Sequence, residues 1–159
     1  GPSDEMIFKW AYHKQCGRYP ESDAVDVMEY GTRGKRALEL CHALDRGKMA
    51  VLRDNDGKKP DKWIGDAGDF ISAGKREMFV GEPADGCTLE PQMVQANESA
   101  ISTLSDIVGA STTDAESLIE YMKSCKTDWA LKILLDNDSA ETLQVPGYIK
   151  AAIDFIVKD

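Results

Sequence analysis

Lys48-Met49-Ala50-Val51-Leu52-Arg53-Asp54-Asn55-Asp56-Gly57 is the stretch from which the fold is read. Its first half is a short apolar run, the pattern of a buried strand. Its second half is polar and ends in Gly, so the strand stops abruptly in a loop. Ligands of open parallel sheets bind beyond the carboxyl ends of the strands. Two carboxylates with one residue between them at that edge can converge on a hard cation such as magnesium. The competing reading is a polar loop whose Asp residues cap backbone groups. An EF-hand is excluded, because its loop needs Gly at position six and Gly57 stands at position four.

Outward from this stretch the pattern alternates between strand and helix. Val25 to Tyr30 repeats with period two and predicts a strand closed by Gly31. Glu77-Met78-Phe79-Val80 predicts a further strand, followed by a turn-rich loop from Gly81 to Gly86. Helical spacing covers Asp4 to Lys14 and Arg36 to Leu44, the second ending at Gly47 as C-cap, and Asp61 to Phe70 predicts a short helix. Beyond Leu89 only helices are predicted. Thr112-Thr113-Asp114 caps one, Asp128 to Leu135 forms another, and Pro146-Gly147 opens the last, with Ile149, Ile153, Ile156 and Val157 facing inward. The expected fold class is α/β, a parallel sheet flanked by helices with a helical C-terminal part. The expected division is an α/β core over residues 1–98 and a helical part over 99–159 packed on it.

Composition narrows the function classes. With 159 residues, 42% hydrophobic and 30% charged, the chain can bury a core without disulfides or a structural metal. A net charge of −9, from 28 acidic and 19 basic residues, argues against binding nucleic acid through a basic surface alone. Divalent ions held by carboxylates would weaken that objection. Cys16, Cys41, Cys87 and Cys125 contain no Cys-x-x-Cys pair, and with only two His they do not make a zinc site. A reducing, cytoplasmic setting is expected, with the thiols mostly buried as small hydrophobes. No apolar run reaches the roughly 20 residues of a membrane helix, and no signal-peptide pattern is present. The opening Gly1-Pro2-Ser3, without an initiator Met, resembles the remnant of a cleaved tag and leads one to expect a piece of a longer protein.

Two further segments carry chemistry. Thr88-Leu89-Glu90 follows the third predicted strand, so Glu90 could add a carboxylate and Thr88 a hydroxyl at the sheet edge; the competing reading is a helix cap with an acid in the first turn. Lys126, with Lys123 one turn earlier, could stabilise charge developing on a phosphate, although most lysines are merely solvated. Trp10, Trp63 and Trp129 read as packing residues, since none lies in a basic aromatic cluster. Arg33, Lys35 and Arg36 form a small basic group that could touch a phosphate backbone or line a solvated helix face.

Taken in order, these motifs make the chain resemble the TOPRIM domain of OLD-family (overcoming lysogenisation defect) ATP-dependent endonuclease-like proteins. The family pattern is Glu-Gly-x-x-Asp or Glu after a first strand, Asp-x-Asp after a later one, Thr- or Ser-x-Glu, and a distal lysine. Gly1-Pro2-Ser3-Asp4, Asp54-Asn55-Asp56, Thr88-Leu89-Glu90 and Lys126-Thr127-Asp128-Trp129-Ala130 match in that order across nearly the whole chain. The leading Glu and its strand would fall before Gly1. The resemblance implies a TOPRIM-like, Rossmann-like sheet and DNA cleavage with two magnesium or manganese ions. It implies Asp4, Asp54, Asp56, Thr88 and Glu90 as metal-site residues, and Asp54, Asp56 and Lys126 as catalytic ones. It also implies an N-terminal ABC-type ATPase domain in the parent; no Gly-x-x-x-x-Gly-Lys-Ser/Thr phosphate loop occurs in this chain. A sheet lacking a strand exposes edges, so a homo-oligomer is a further expectation.

Three other readings stay open on the residues, and one is TOPRIM chemistry of the primase or topoisomerase kind, which shares the acidic core. In a haloacid-dehalogenase type of phosphotransfer, Asp54 would be the nucleophile, but the Thr usual after that Gly is Lys58 here. The alternative without catalysis is a metal-binding or protein-interaction module.

Overall fold

The computed structural model describes residues 1–45 and 47–158. In chain order the regular elements are α1 (Pro2–Cys16), α2 (Gly34–Leu44), β1 (Met49–Arg53), α3 (Pro60–Asp66), β2 (Arg76–Val80), α4 (Leu89–Ala96), α5 (Ile101–Val108), α6 (Ala115–Ser124), α7 (Asp128–Leu135), α8 (Asn137–Ala140) and α9 (Gly147–Val157). The fold is α/β and mostly helical, with a small parallel sheet flanked by helices. Two compact units are present. A helical unit comprises Gly1–Glu29 and Leu89–Val145, and a sheet unit comprises Tyr30–Thr88 and Pro146–Asp159.

In the sheet unit β1 and β2 run parallel, with Val51 opposite Met78 and Arg53 opposite Val80. Parallel neighbours need a crossover connection, and α3 with the turn Gly68–Phe70 supplies it. Strand alternation puts Val51, Met78 and Val80 on one face, where they pack with Leu38 of α2 and Ala67 beyond α3. Phe79 points to the opposite face and meets Phe155 of α9, ring centroids 5.6 Å apart. Thus helices cover both faces, as a parallel sheet requires. Beneath them Arg76, only 6% exposed, donates from Nε to the Phe70 carbonyl at 3.1 Å and from Nη2 to His42 Nδ1 at 3.2 Å. Since a guanidinium can only donate, the His42 imidazole accepts at Nδ1.

The start of α2 lies close to β1 because Gly34 has no side chain. A Cβ there would stand 2.7 Å from Val51 Cγ1. Gly34→Ala is therefore expected to destabilise the protein by about 1–3 kcal/mol despite Ala's better helix propensity. Urea unfolding checks this, and Val51→Ala added to Gly34→Ala should recover less cost than the two changes sum to. Additive costs would show that the contact does not govern this site.

In the helical unit α1 packs chiefly on α7, α4 on α6, and α5 on both α6 and α7. Ile7, Trp10, Tyr12, Met93, Leu104, Leu118, Met122, Trp129 and Ile133 are all less than 2% exposed. The Tyr12 hydroxyl donates to Asp23 Oδ2 at 2.7 Å, and burial together with that carboxylate pushes its pKa well above the usual range. Buried Asn97 holds the chain after α8, donating to the Gln144 carbonyl at 3.0 Å and accepting from the Gln144 amide at 2.7 Å.

Asp114 caps α6 by accepting from the Ser117 amide at 2.8 Å, and this bond holds its carboxyl below the ordinary value. A depressed pKa means that the cap's contribution is present above the unfolded value, near pH 4, and is lost as pH falls below it. Asn caps without titrating. In Asp114→Asn the melting temperature should therefore fall less steeply below about pH 4 than in the parent. Parallel slopes would refute a titrating cap.

Several expectations are corrected by the structure. Val25–Tyr30 is not a strand: β1 and β2 are the only strands among the described residues. Period two specifies an extended chain with one side half covered, whereas a strand also needs a hydrogen-bonding neighbour. The C-cap of α2 is Asp45, at φ 45°, rather than Gly47. Packing does not divide the chain at residue 98: α1 belongs with the later helices and α9 belongs with the sheet. Ile149 and Ile153 are buried, but Val157 is 43% exposed at the last turn of α9. Of the four free cysteines only Cys41 is buried, and Cys87 is exposed. No helix is long and apolar enough to cross a membrane among the described residues.

Candidate functional site

The loop leaving β1 is built around its middle residue. Asn55 is fully buried. Its amide nitrogen donates to the Gly81 carbonyl at 3.1 Å and the Gly86 carbonyl at 2.7 Å, both in the loop after β2. Its Oδ1 accepts from the Gly57 amide at 2.8 Å, closing an Asx-turn. Its backbone carbonyl accepts from Trp63 Nε1 at 2.8 Å. One side chain thus ties the two loops at the carboxyl edge of the sheet. Asp54 on one side of it is half-buried, and Asp56 on the other is exposed.

Asp56 does not stand alone. Arg53 Nη2 lies 3.0 Å from its Oδ2, and Arg53 Nε donates to the Asp54 carbonyl at 2.9 Å. The guanidinium carbon sits 3.4 Å from the Trp63 ring centroid, with Lys58 Nζ 5.0 Å from the same centroid. Trp63 is therefore in a basic aromatic cluster, contrary to the expectation from sequence. Arg53 is four residues short of Gly57 and Trp63 six beyond it, and only the loop's reversal brings them together. Trp10 and Trp129 are packing residues, as expected, and Trp63 also packs against the core face of the sheet.

Asp56 has φ 50° and Gly57 φ 77°, which turns the loop sharply. An acid tolerates the left-handed region better than most residues. Lys126 has φ 54° at the turn between α6 and α7, a conformation that costs a bulky side chain about 1–2 kcal/mol. Such strain persists only where the surroundings enforce it, and Ser3 Oγ donates to the Lys126 carbonyl at 3.4 Å. The start of α1 and the Lys126 turn are thereby brought together.

The remaining expected residues are placed as follows. Asp4 is in the first turn of α1, with Oδ2 2.6 Å from the Gly1 amino group. Glu90 is in the first turn of α4, where an acid suits the helix dipole. Thr88 directly precedes α4. Asp54, Asp56 and Thr88 belong to the sheet unit, and Asp4, Glu90 and Lys126 to the helical unit. Among the described residues no group of three or more His, Cys, Asp or Glu is gathered to hold a metal. The sheet unit alone therefore offers two carboxylates from one loop. That donor set suits a single magnesium ion, which is commonly held by one or two carboxylates with water completing the shell. The Arg53–Asp56 pair is no barrier, because an exposed ion pair is worth about 0–1 kcal/mol.

Sequence reasoning missed Asn55 as the organiser of this edge. The available signal was Asn two residues before Gly, the spacing of an Asx-turn. It also missed Glu82 and Asp85, exposed in the facing loop that Asn55 holds. No family model, no curated protein and no solved structure matches the chain.

Proposed function

We propose that the chain is the TOPRIM-like module of an OLD-type nuclease and that the Asp54–Asp56 loop is its divalent-metal site for phosphodiester cleavage. The observation that carries this reading is the loop itself. Two carboxylates leave the carboxyl end of a parallel strand, braced by buried Asn55 to the loop after the neighbouring strand. In this reading Asp54 and Asp56 hold magnesium or manganese, and the resemblance adds Thr88 of the same unit. Bound metal would supply Lewis acidity toward a phosphate and a lowered water pKa. Asn55 keeps both carboxylates in place, so none of the binding energy goes into ordering the loop. DNA is the substrate, and an ABC-type ATPase domain and a second copy of the chain are the proposed partners.

The test is nicking of supercoiled plasmid with magnesium and with manganese, beside calorimetric titration of each metal. Metal-dependent nicking lost in Asp54→Ala/Asp56→Ala supports the nuclease. Metal binding without nicking favours the non-catalytic module. An acid-stable phosphoryl adduct on Asp54 would favour the phosphotransferase instead.

A further inference from the structure

The net charge of −9 conceals a segregation. The helical unit carries 16 Asp and Glu against six Lys and Arg, a net −10. The sheet unit carries 12 against 13, a net +1. The objection to nucleic acid drawn from the whole chain therefore does not apply to the unit that bears the Asp54–Asp56 loop.

Within that unit the cations sit beside the loop. Lys58 and Lys59 follow Gly57 directly and are exposed. Lys58 is held over Trp63, whose indole is itself fixed to the Asn55 carbonyl. Lys62 is neutralised by Asp66 at 2.6 Å, and Arg53 by Asp56 at 3.0 Å. The Asp66 carboxyl is kept low chiefly by its bond to Lys62, and Lys35 of α2 and Lys58 add to the effect. Among the described residues Lys58 and Lys59 are in no ion pair, and exposed Asp61 in α3 and exposed Glu82 and Asp85 in the facing loop partly offset their charge.

We infer that Lys58 and Lys59 form a contact surface for a nucleic-acid phosphate backbone leading to the Asp54–Asp56 loop. Free lysines whose charge is not consumed internally are the groups that release counterions from a polyanion. Their place next to the carboxylate loop suits a strand whose scissile phosphate reaches the metal. For its ligand class the inference rests on the phosphodiester reading above.

The test is fluorescence anisotropy of a labelled DNA oligonucleotide, single-stranded and duplex, in EDTA so that no cleavage occurs. A dissociation constant between about 10⁻⁴ and 10⁻⁶ M at low salt is expected for backbone contacts. Two contacts should weaken duplex binding about 12-fold between 50 and 200 mM salt. Lys58→Glu/Lys59→Glu should weaken binding at least about tenfold, while Lys75→Glu/Lys158→Glu, an equal charge change elsewhere, should change it less than about twofold. Equal losses in the two double variants, no binding at low salt, or equal binding of polyglutamate would each overturn the surface. Plasmid nicking read separately keeps the two claims distinct. Binding without nicking sinks the nuclease and leaves the surface, whereas nicking indifferent to Lys58→Glu/Lys59→Glu does the reverse.

Discussion

Asn55→Ala should lower the stability of the sheet unit by about 2–4 kcal/mol, because three hydrogen bonds fail together in a buried place. The side chain is fully buried and serves the Gly81 and Gly86 carbonyls and the Gly57 amide. Each bond is worth only about 0.5–1.5 kcal/mol net. The larger cost comes from partners left in a space that Ala's methyl cannot fill. Asn55→Asp is a sharper case, since it keeps the acceptor toward Gly57 but turns a carboxylate oxygen toward two carbonyl oxygens. Its loss should exceed that of Ala at neutral pH and shrink on acidification, when a protonated carboxyl can donate again. Urea unfolding gives the magnitude. Hydrogen exchange of peptides from β1 and β2, beside peptides from α1 and α7, shows where it falls. An unchanged midpoint, or a loss spread evenly over both units, would contradict the role assigned to Asn55.

That residue also shows how far the sequence could be read. The strand over 49–53 and its abrupt end were legible, because a short apolar run followed by Asp-Asn-Asp-Gly has few other solutions. The Asp114 cap and the helices from 115 onward were legible for the same local reason. What could not be read was pairing. Val25–Tyr30 has the pattern of a strand but no neighbour in a sheet, and nothing local distinguishes the two cases. The return of α9 to the sheet through Phe155 and Phe79 is a contact across 76 residues, beyond any window of periodicity. Asn55 and Asn97 are both buried staples, yet each looks like an ordinary loop asparagine in sequence. The candidate site was half legible. Its acids stand out as a motif, whereas Arg53, Trp63 and Lys58 become one cluster only through the turn at Asp56 and Gly57.

On the nuclease reading that cluster makes the two acids unequal, which leads to the largest expected effect on activity. Asp54→Ala should reduce metal-dependent nicking by about 10³-fold or more, because it removes a ligand for a metal that provides several kcal/mol of transition-state stabilisation. Asp56→Ala should cost less, since Asp56 is exposed and already shares its charge with Arg53. Arg53→Met then becomes informative. It removes the guanidinium that competes for Asp56 Oδ2, so magnesium affinity should rise by about twofold to fivefold, the scale of an exposed pair. It also strips Trp63 of the cation at 3.4 Å and should lower stability by about 0.5–2 kcal/mol. Tighter metal with a less stable fold is an outcome that a purely structural Asp-Asn-Asp loop does not produce, because there Arg53 only supports the turn. Calorimetric titration of magnesium into Arg53→Met, Asp56→Ala and the combined variant separates the two cases. If Arg53→Met tightens binding only while Asp56 is present, Asp56 ligates. If neither change moves the affinity, Asp56 is an anchor for Arg53 and the metal site must be sought without it.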